Sequence, residues 1–395
     1  MHPILRPGQL GPLTLRNRVI KTATFEGMTP QGVPTAQLIE HHASMARNGV
    51  ALTTVAYGAV SADGRTFEAQ LKLDDASRPG LRALADAVHA HGGLVSMQLA
   101  HCGGFSRNTQ VSKGAPGGPS AALNAYGIAV GVPRVRALDE DDIQGIIAAF
   151  AAAAKLVVEE GFDAVEVHLG HGYLLSQFLS PAVNRRRDGW GGDATRRMRL
   201  PIEVVRAVRA AVGPDHAVLV KLNLRDDVRG GLEVDEAVAV AGAVVEAGAD
   251  AVEPSGGLVF KTPFYLLRGR TPVREMAQVE HSTLMKWALR VFAPVWIQTY
   301  PYTSMFLRDD AQRVRAATSA PTILLGGVDS AAAMQTAMDD GFEFVAIGRA
   351  LLADPDLIAR IAAGEAFETR CDHCNVCVAE MERDGVRCIL PPRGA

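Results

Sequence analysis

The feature that most constrains this chain is a recurring punctuation: a helical pattern, a Gly just past its end, then a short apolar, β-branched run. It falls at Asn48-Gly49, His91-Gly92, Glu160-Gly161, Ala247-Gly248 and Asp340-Gly341. Helices commonly end in a left-handed turn that Gly adopts without steric cost, so each Gly marks a handover from helix to strand. The apolar runs predict eight strands, at 19–22, 51–55, 94–98, 164–168, 217–223, 251–253, 322–325 and 344–347. Helical patterns lie at 35–47, 79–91, 141–160, 195–212, 234–246, 330–338 and 354–363. Several runs are apolar throughout, as parallel strands covered on both faces require. Eight such units predict an α/β chain closed into a (β/α)8 TIM barrel, an architecture that keeps most of 395 residues around one core.

Nothing resembling a Gly-Ser linker or a charge run divides the chain, which places the barrel at residues 1–365 and a Cys-rich C-terminal extension, packed on it, at 366–395. Two βα connections are unusually long, 101–138 after strand three and 254–309 after strand six. Long loops in compact barrels are usually functional, and these emerge at the carboxyl end of the strands, where they are expected to shape a substrate pocket. The second carries Phe264 and Tyr265, then Trp296, Tyr300 and Tyr302, which either line that pocket or pack the loop down.

Composition removes several function classes. Net charge is −3 and the basic residues are scattered among acids, so the footprint of a nucleic-acid partner is missing. Residues 1–8 carry no secretion pattern, and the Ala-rich run at 146–154 is too short to cross a bilayer, so a cytoplasmic protein with no membrane partner is expected.

The densest chemistry lies where strand four ends, in Val165-Glu166-Val167-His168-Leu169-Gly170-His171-Gly172-Tyr173. A carbonyl that becomes an enolate while hydride arrives at its β-carbon needs hydrogen-bond donors at oxygen and an acid for the α-carbon. His168 and His171 suit the first task and Tyr173 the second, although a His pair alone also suits a structural or metal-binding role.

The pattern continues through Gln177-Phe178-Leu179-Ser180-Pro181 and Asn184-Arg185-Arg186-Arg187-Asp188-Gly189-Trp190-Gly191-Gly192. Together with Leu10-Gly11-Pro12-Leu13-Thr14-Leu15-Arg16-Asn17-Arg18-Val19 and Gly348-Arg349-Ala350-Leu351-Leu352-Ala353-Asp354-Pro355, it resembles the old yellow enzyme / NADH:flavin oxidoreductase family over nearly the whole chain. The resemblance implies FMN, NAD(P)H as reductant, a ping-pong cycle and an enone-type small-molecule acceptor; it leaves a homo-oligomer open. It implies that Ala23, Thr24 and Tyr57 contact the isoalloxazine and that Gln98 meets its pyrimidine edge, for which an amide donor and acceptor are suited. Lys221 would supply a cation for the negative charge of reduced flavin, since a Lys pointing into a barrel demands a partner. Gly326-Gly327 and Gly348-Arg349 match the phosphate site such barrels build after strands seven and eight. Departures are Phe25 where many relatives have Thr or Cys, Lys221 in place of Arg, and Gly104 where a further Arg is usual, with Arg107 a candidate substitute.

Four of the five cysteines cluster as Cys371-Asp372-His373-Cys374-Asn375-Val376-Cys377, then Cys388. That spacing suits metal and resembles the cluster segment of the family's 2,4-dienoyl-CoA reductase branch; [4Fe-4S], Zn2+ and reduced thiols are the three readings. The alternatives to an ene-reductase are a dienoyl-CoA reductase or amine dehydrogenase-like enzyme using that cluster, a metal-dependent barrel hydrolase with His101, His168 and His171 as ligands, and a non-catalytic flavin-binding protein.

Overall fold

The computed structural model describes residues 2–280 and 283–391, without the side chains at 284, 285 and 294–296, so the expected role of Trp296 lies outside what is described. Eight parallel strands appear in chain order: β1 (Val19–Lys21), β2 (Leu52–Ala59), β3 (Leu94–Ala100), β4 (Ala164–Leu169), β5 (Ala217–Asn223), β6 (Ala251–Ser255), β7 (Ile323–Leu325) and β8 (Phe344–Ile347). The sheet runs continuously from β6 back to β1 and on through β8 to β7. It closes between β6 and β7, where Val252 bridges Thr322 and the Val252 amide donates to the Pro321 carbonyl at 3.1 Å. The molecule is thus a (β/α)8 barrel. All residues of β2, β4, β5 and β6 are buried, as strands covered on both faces must be.

Local signals explain several helix boundaries. Thr35 accepts the Leu38 amide at the start of Ala36–Arg47, Asp139 and Asp142 form a capping box ahead of Glu140–Glu159, and Ser330 caps Ala331–Asp339. The expected segment at 354–363 is instead two helices, Arg349–Ala353 and Leu357–Ala362. Pro355 drives Asp354 out of the helical region, to φ −128° and ψ 79°. The segment at 195–212 likewise divides, into Ala194–Arg197 and Arg199–Val212. Strand β2 outruns its expected end because its pairing with β3 shifts register between Val55 and Gly58 and then resumes to Ala59.

A hairpin of Gly8–Leu10 and Leu13–Leu15 places Leu10 and Leu15 in one buried cluster with Ile20, Leu52, Ala164, Leu219 and Phe344, plugging the amino end of the barrel. Both long connections carry structure of their own. The first holds short strands at Gly117–Gly118, Ala122–Leu123 and Arg134–Ala137; the second holds helices Val273–Val279 and Thr283–Trp296 before the barrel helix Arg308–Ala317. Past residue 365 the chain returns over the carboxyl end of β1. The Val386 amide donates to Glu26 O at 2.7 Å, and the approach is so close that a Cβ at Gly27 would lie 2.1 Å from Met381 O. Among the described residues no helix is long and apolar enough to cross a membrane.

Candidate active site

The carboxyl ends of β1, β5, β7 and β8 open on a cavity lined among others by Ala23, Thr24, His171, Lys221, Gly326, Gly327, Gly348 and Arg349. Gly326 and Gly327 hold φ of 97° and 81°, a region where a Cβ is strained. At Gly327 a Cβ would also lie 2.7 Å from the Met305 amide nitrogen, so the turn is bare backbone by necessity. Arg349 reaches the same end of the cavity, anchored by donation to Arg268 O at 3.0 Å and to Asn375 Oδ1. Bare amides and a guanidinium at one end are what an anionic phosphate needs.

A second wall comes from the loop after β6, as its length and aromatics led one to expect, and from the extension, which was not foreseen. Tyr302, Asp329 and His373 line the cavity; Tyr302 donates its hydroxyl to Asp329, and His373 Nε2 lies 3.4 Å from the same carboxylate. Those two donors outweigh burial and hold Asp329 below the usual carboxylate range.

At the other end the barrel interior is charged. Lys221 Nζ lies 3.1 Å from Glu166 Oε2, 3.0 Å from Glu253 Oε1 and 3.0 Å from Thr22 Oγ1. Gln98 contacts Glu166 Oε2 at 2.5 Å, and Thr22 donates to Glu253 at 2.6 Å. Since β1 neighbours neither β5 nor β6, the Thr22 contacts can be made only across the interior. Lys221 therefore has two carboxylate partners; the sequence reading demanded a partner for it but named neither acid. The signal was present: Glu166 and Glu253 are acids inside all-buried strands, and Glu166 shares a face with His168 by the two-residue period.

His168, His171 and Tyr173 converge at the end of β4. Ring centroids are 4.8 Å apart for the two imidazoles and 4.7 Å for His168 and Tyr173. Tyr57 packs edge-on to Tyr173 at 5.1 Å, with Phe25 behind it. Burial, followed by nearby positive charge, pushes the His168 pKa well below its ordinary value and His171 down to about 3, so both are neutral. Burial also pushes the Tyr173 phenol upward, so it keeps its proton. His171 sits at φ 60°, its amide held by Asn223 Oδ1 at 2.9 Å and its Nε2 2.7 Å from Ser255 Oγ. His168 Nδ1 is buried with no hydrogen-bond partner among the described residues, the position of a group awaiting a ligand. Arg107 lies beyond, 5.1 Å from the Tyr126 ring that stacks on Phe105. Cys102 is buried, and burial pushes its thiol up to about 12, which leaves it without thiolate character.

His101 does not join the imidazole pair in a metal-ligand group. Among the described residues the one His/Cys/carboxylate set close enough to share an ion is Glu26, His41 and His42, and Lys21 Nζ already lies 2.5 Å from that carboxylate. Cys371, Cys374, Cys377 and Cys388 all line a second, smaller pocket beside Arg349, and Cys371 lines the large cavity as well.

The sequence profile of the NADH:flavin oxidoreductase / NADH oxidase family matches residues 3–257. The chain is 41% identical to the 4,4'-dithiodibutanoate disulfide reductase of Rhodococcus erythropolis over 98% of its own length and 94% of that protein. It is 31% identical to the metal reductase of Desulforamulus reducens over 95% of itself, yet spans only 51% of that longer chain. A solved morphinone reductase superposes with a TM-score of 0.72 at 27% identity, covering 95% of this chain and 96% of the other. The chain belongs to the NADH:flavin oxidoreductase / NADH oxidase family and is an FMN-dependent NAD(P)H oxidoreductase.

Proposed function

We propose that this chain delivers two electrons from NAD(P)H to the activated C=C bond of a small α,β-unsaturated carbonyl compound. The observation that carries the reading is that His171, in a ring cluster with His168 and Tyr173, lines the cavity whose other walls include Lys221, the two glycine turns and Arg349. Bound FMN would supply the carrier of electrons between the two substrates. Gly326, Gly327, Gly348 and Arg349 would hold its phosphate, Gln98 and Lys221 its pyrimidine end, and Ala23, Thr24 and Tyr57 its ring system. His168 and His171, both neutral, offer N–H donors to a carbonyl oxygen; the unpartnered His168 nitrogen fits that task. Tyr173 keeps the proton that the α-carbon requires. The morphinone reductase is named for an α,β-unsaturated ketone.

A second acceptor class, organic disulfides, is favoured by the 41% identity to a disulfide reductase covered almost end to end. Such an acceptor would take two electrons and two protons and leave as two thiols. The visible spectrum of the purified protein, recorded before and after anaerobic NADPH and again after adding cyclohexenone or 4,4'-dithiodibutanoate, tests both. A yellow protein bleached by NADPH and recoloured by the enone supports the first acceptor, and recolouring by the disulfide alone supports the second. A protein that neither binds FMN nor bleaches would overturn both.

We read the four clustered cysteines as ligands of an iron–sulfur cluster rather than Zn2+. Four thiolates about 2.3 Å from one Zn2+ must lie roughly 3.8 Å from one another. Among the described residues no three of these sulfurs fall within 4.8 Å of one another, which disfavours a single Zn2+, while all four line one pocket, as a cluster with ligands on separate irons requires. Iron and acid-labile sulfide in anaerobically purified protein test this. Five free cysteines and a nicotinamide donor suit a reducing cytoplasm.

A further inference from the structure

Three groups with formal charge meet inside the barrel, and they do not cancel. Glu166 from β4, Lys221 from β5 and Glu253 from β6 are each at most 1% exposed, and Lys221 divides one positive charge between two carboxylates. Among the described residues the polar groups around the triad are neutral: Gln98 from β3 on Glu166, Thr22 just past β1 on Lys221 and Glu253, and the uncharged His168 and His171. Lys21, one residue before Thr22, is paired instead with Glu26. With both acids ionised the triad is net negative, at the end of the cavity where the FMN reading above puts the pyrimidine ring.

We propose that Glu166 takes up one proton from solvent when the bound flavin is reduced, so that the added negative charge is balanced by this carboxyl and not by Lys221 alone. The inference rests on the FMN reading. In that half-reaction the nicotinamide C4–H bond breaks, its hydride passes to the flavin, the nicotinamide is oxidised, and the flavin gains one net negative charge. The Glu166 carboxylate gains a solvent proton in the same step and returns it when the acceptor reoxidises the site.

Glu166, not Glu253, has a seat for that proton. The contact between Gln98 and Glu166 Oε2 is 2.5 Å, short for N–H···O and within the range of O–H···O. With the Gln98 amide turned over, its oxygen accepts the proton of a neutral Glu166 in the same contact. Glu253 is placed less well: Oε1 is engaged by Lys221 and by a Thr22 hydroxyl that already accepts from Lys221, and Oε2 has no hydrogen-bond partner among the described residues. Burial also drives the Glu166 carboxyl upward, opposed by Lys221 and assisted by Glu253, so its proton affinity already lies close to the working pH.

The test is the reduction potential of FMN-loaded protein, measured spectroelectrochemically above pH 7.5 for wild type and Glu166→Gln, with redox-difference infrared spectra of each. Wild type is expected to take up two protons per two electrons and Glu166→Gln one. That difference is a tenfold change in the reduction equilibrium per pH unit, or about 30 mV. A protonated-carboxyl band should appear on reduction in wild type, persist in Glu253→Gln and be missing in Glu166→Gln. Equal one-proton slopes with no carboxyl band overturn the proposal while leaving the flavin reading intact, and loss of the band in Glu253→Gln instead overturns the assignment to Glu166. If Glu166→Gln does not bind flavin, the wild-type slope and band decide alone, and a wild type that binds no flavin fails the underlying reading itself.

Discussion

The imidazole of His373 lies flat on the phenol ring of Tyr302, with centroids 3.5 Å apart and planes inclined by 17°. One residue comes from the Cys-rich extension and the other from the loop after β6, and both line the large cavity. The extension therefore forms part of the wall of the cavity proposed to hold FMN, and on that proposal a change in it should be felt as FMN affinity. Ring pairs of this kind contribute roughly 1 kcal/mol beyond their buried area. For His373→Ala the expected outcome is an FMN Kd raised about fivefold, read by flavin-fluorescence titration of the apoprotein, with the far-UV circular dichroism unchanged. An unaltered Kd would detach the extension from cofactor binding.

Tyr173→Phe removes one hydroxyl from a ring that keeps its contacts with Tyr57 and His168. Acid catalysis by a positioned side chain contributes roughly 10²–10⁴-fold. In stopped-flow measurements reoxidation by an enone should slow by about that factor, while reduction by NAD(P)H changes little. Equal loss in both half-reactions would remove Tyr173 as the acid.

How much of this was legible in the sequence follows from how local each signal is. The five glycines past helix ends all adopt positive φ, and the eight apolar runs all became barrel strands, because those signals need only a few neighbouring residues. Gly326, Gly327, Gly348 and Arg349 share one cavity because consecutive strands β7 and β8 lie side by side in the sheet. Partnerships between distant segments were not legible. Lys221 and Glu253 are in register across two strands, yet nothing in Val220-Lys221-Leu222 names an acid 32 residues on. The same holds for Val386 bound to Glu26 and for His373 on Tyr302, which exist only once the extension has folded back. The interior of the loop at 254–309 was missed for another reason: its helical pattern lies in a stretch read for its aromatics.

Arg349 is expected to be the largest single side-chain contributor to FMN retention. It lines the cavity where the glycine turns bare their amides, and its Nη1 is committed to Arg268 O and Asn375 Oδ1, which fixes the fork. A hydrogen bond to a charged group contributes about 1.5–3 kcal/mol, so Arg349→Ala should raise the FMN Kd roughly ten- to a hundredfold. Arg349→Lys should recover part of that loss, because a point charge replaces a planar fork. Equilibrium dialysis with FMN and with riboflavin checks the assignment. The variant's defect should vanish for riboflavin, which has no phosphate; a defect of equal size for both ligands would place Arg349 elsewhere on the cofactor.

The buried triad also predicts an unusual dependence of stability on pH. Glu166 has its pKa raised in the folded protein, to about 7, chiefly by burial. A folded state that binds a proton more tightly than the unfolded chain is favoured where that proton is present. The contribution is complete below the unfolded-state value of about 4.3 and is lost as pH rises through 7. The size is on the order of 3 kcal/mol, since each pKa unit corresponds to about 1.4 kcal/mol. Other groups run the opposite way, among them Asp142, which its hydrogen bond to Arg136 holds well below the usual carboxylate range, so the measurable quantity is a difference between proteins. Glu166→Gln keeps the shape and cannot ionise. Urea denaturation of the apoproteins at pH 5 and pH 8 should show the variant gaining stability relative to wild type as pH rises. A difference independent of pH would mean that Glu166 keeps one protonation state throughout, with Lys221 compensating it fully.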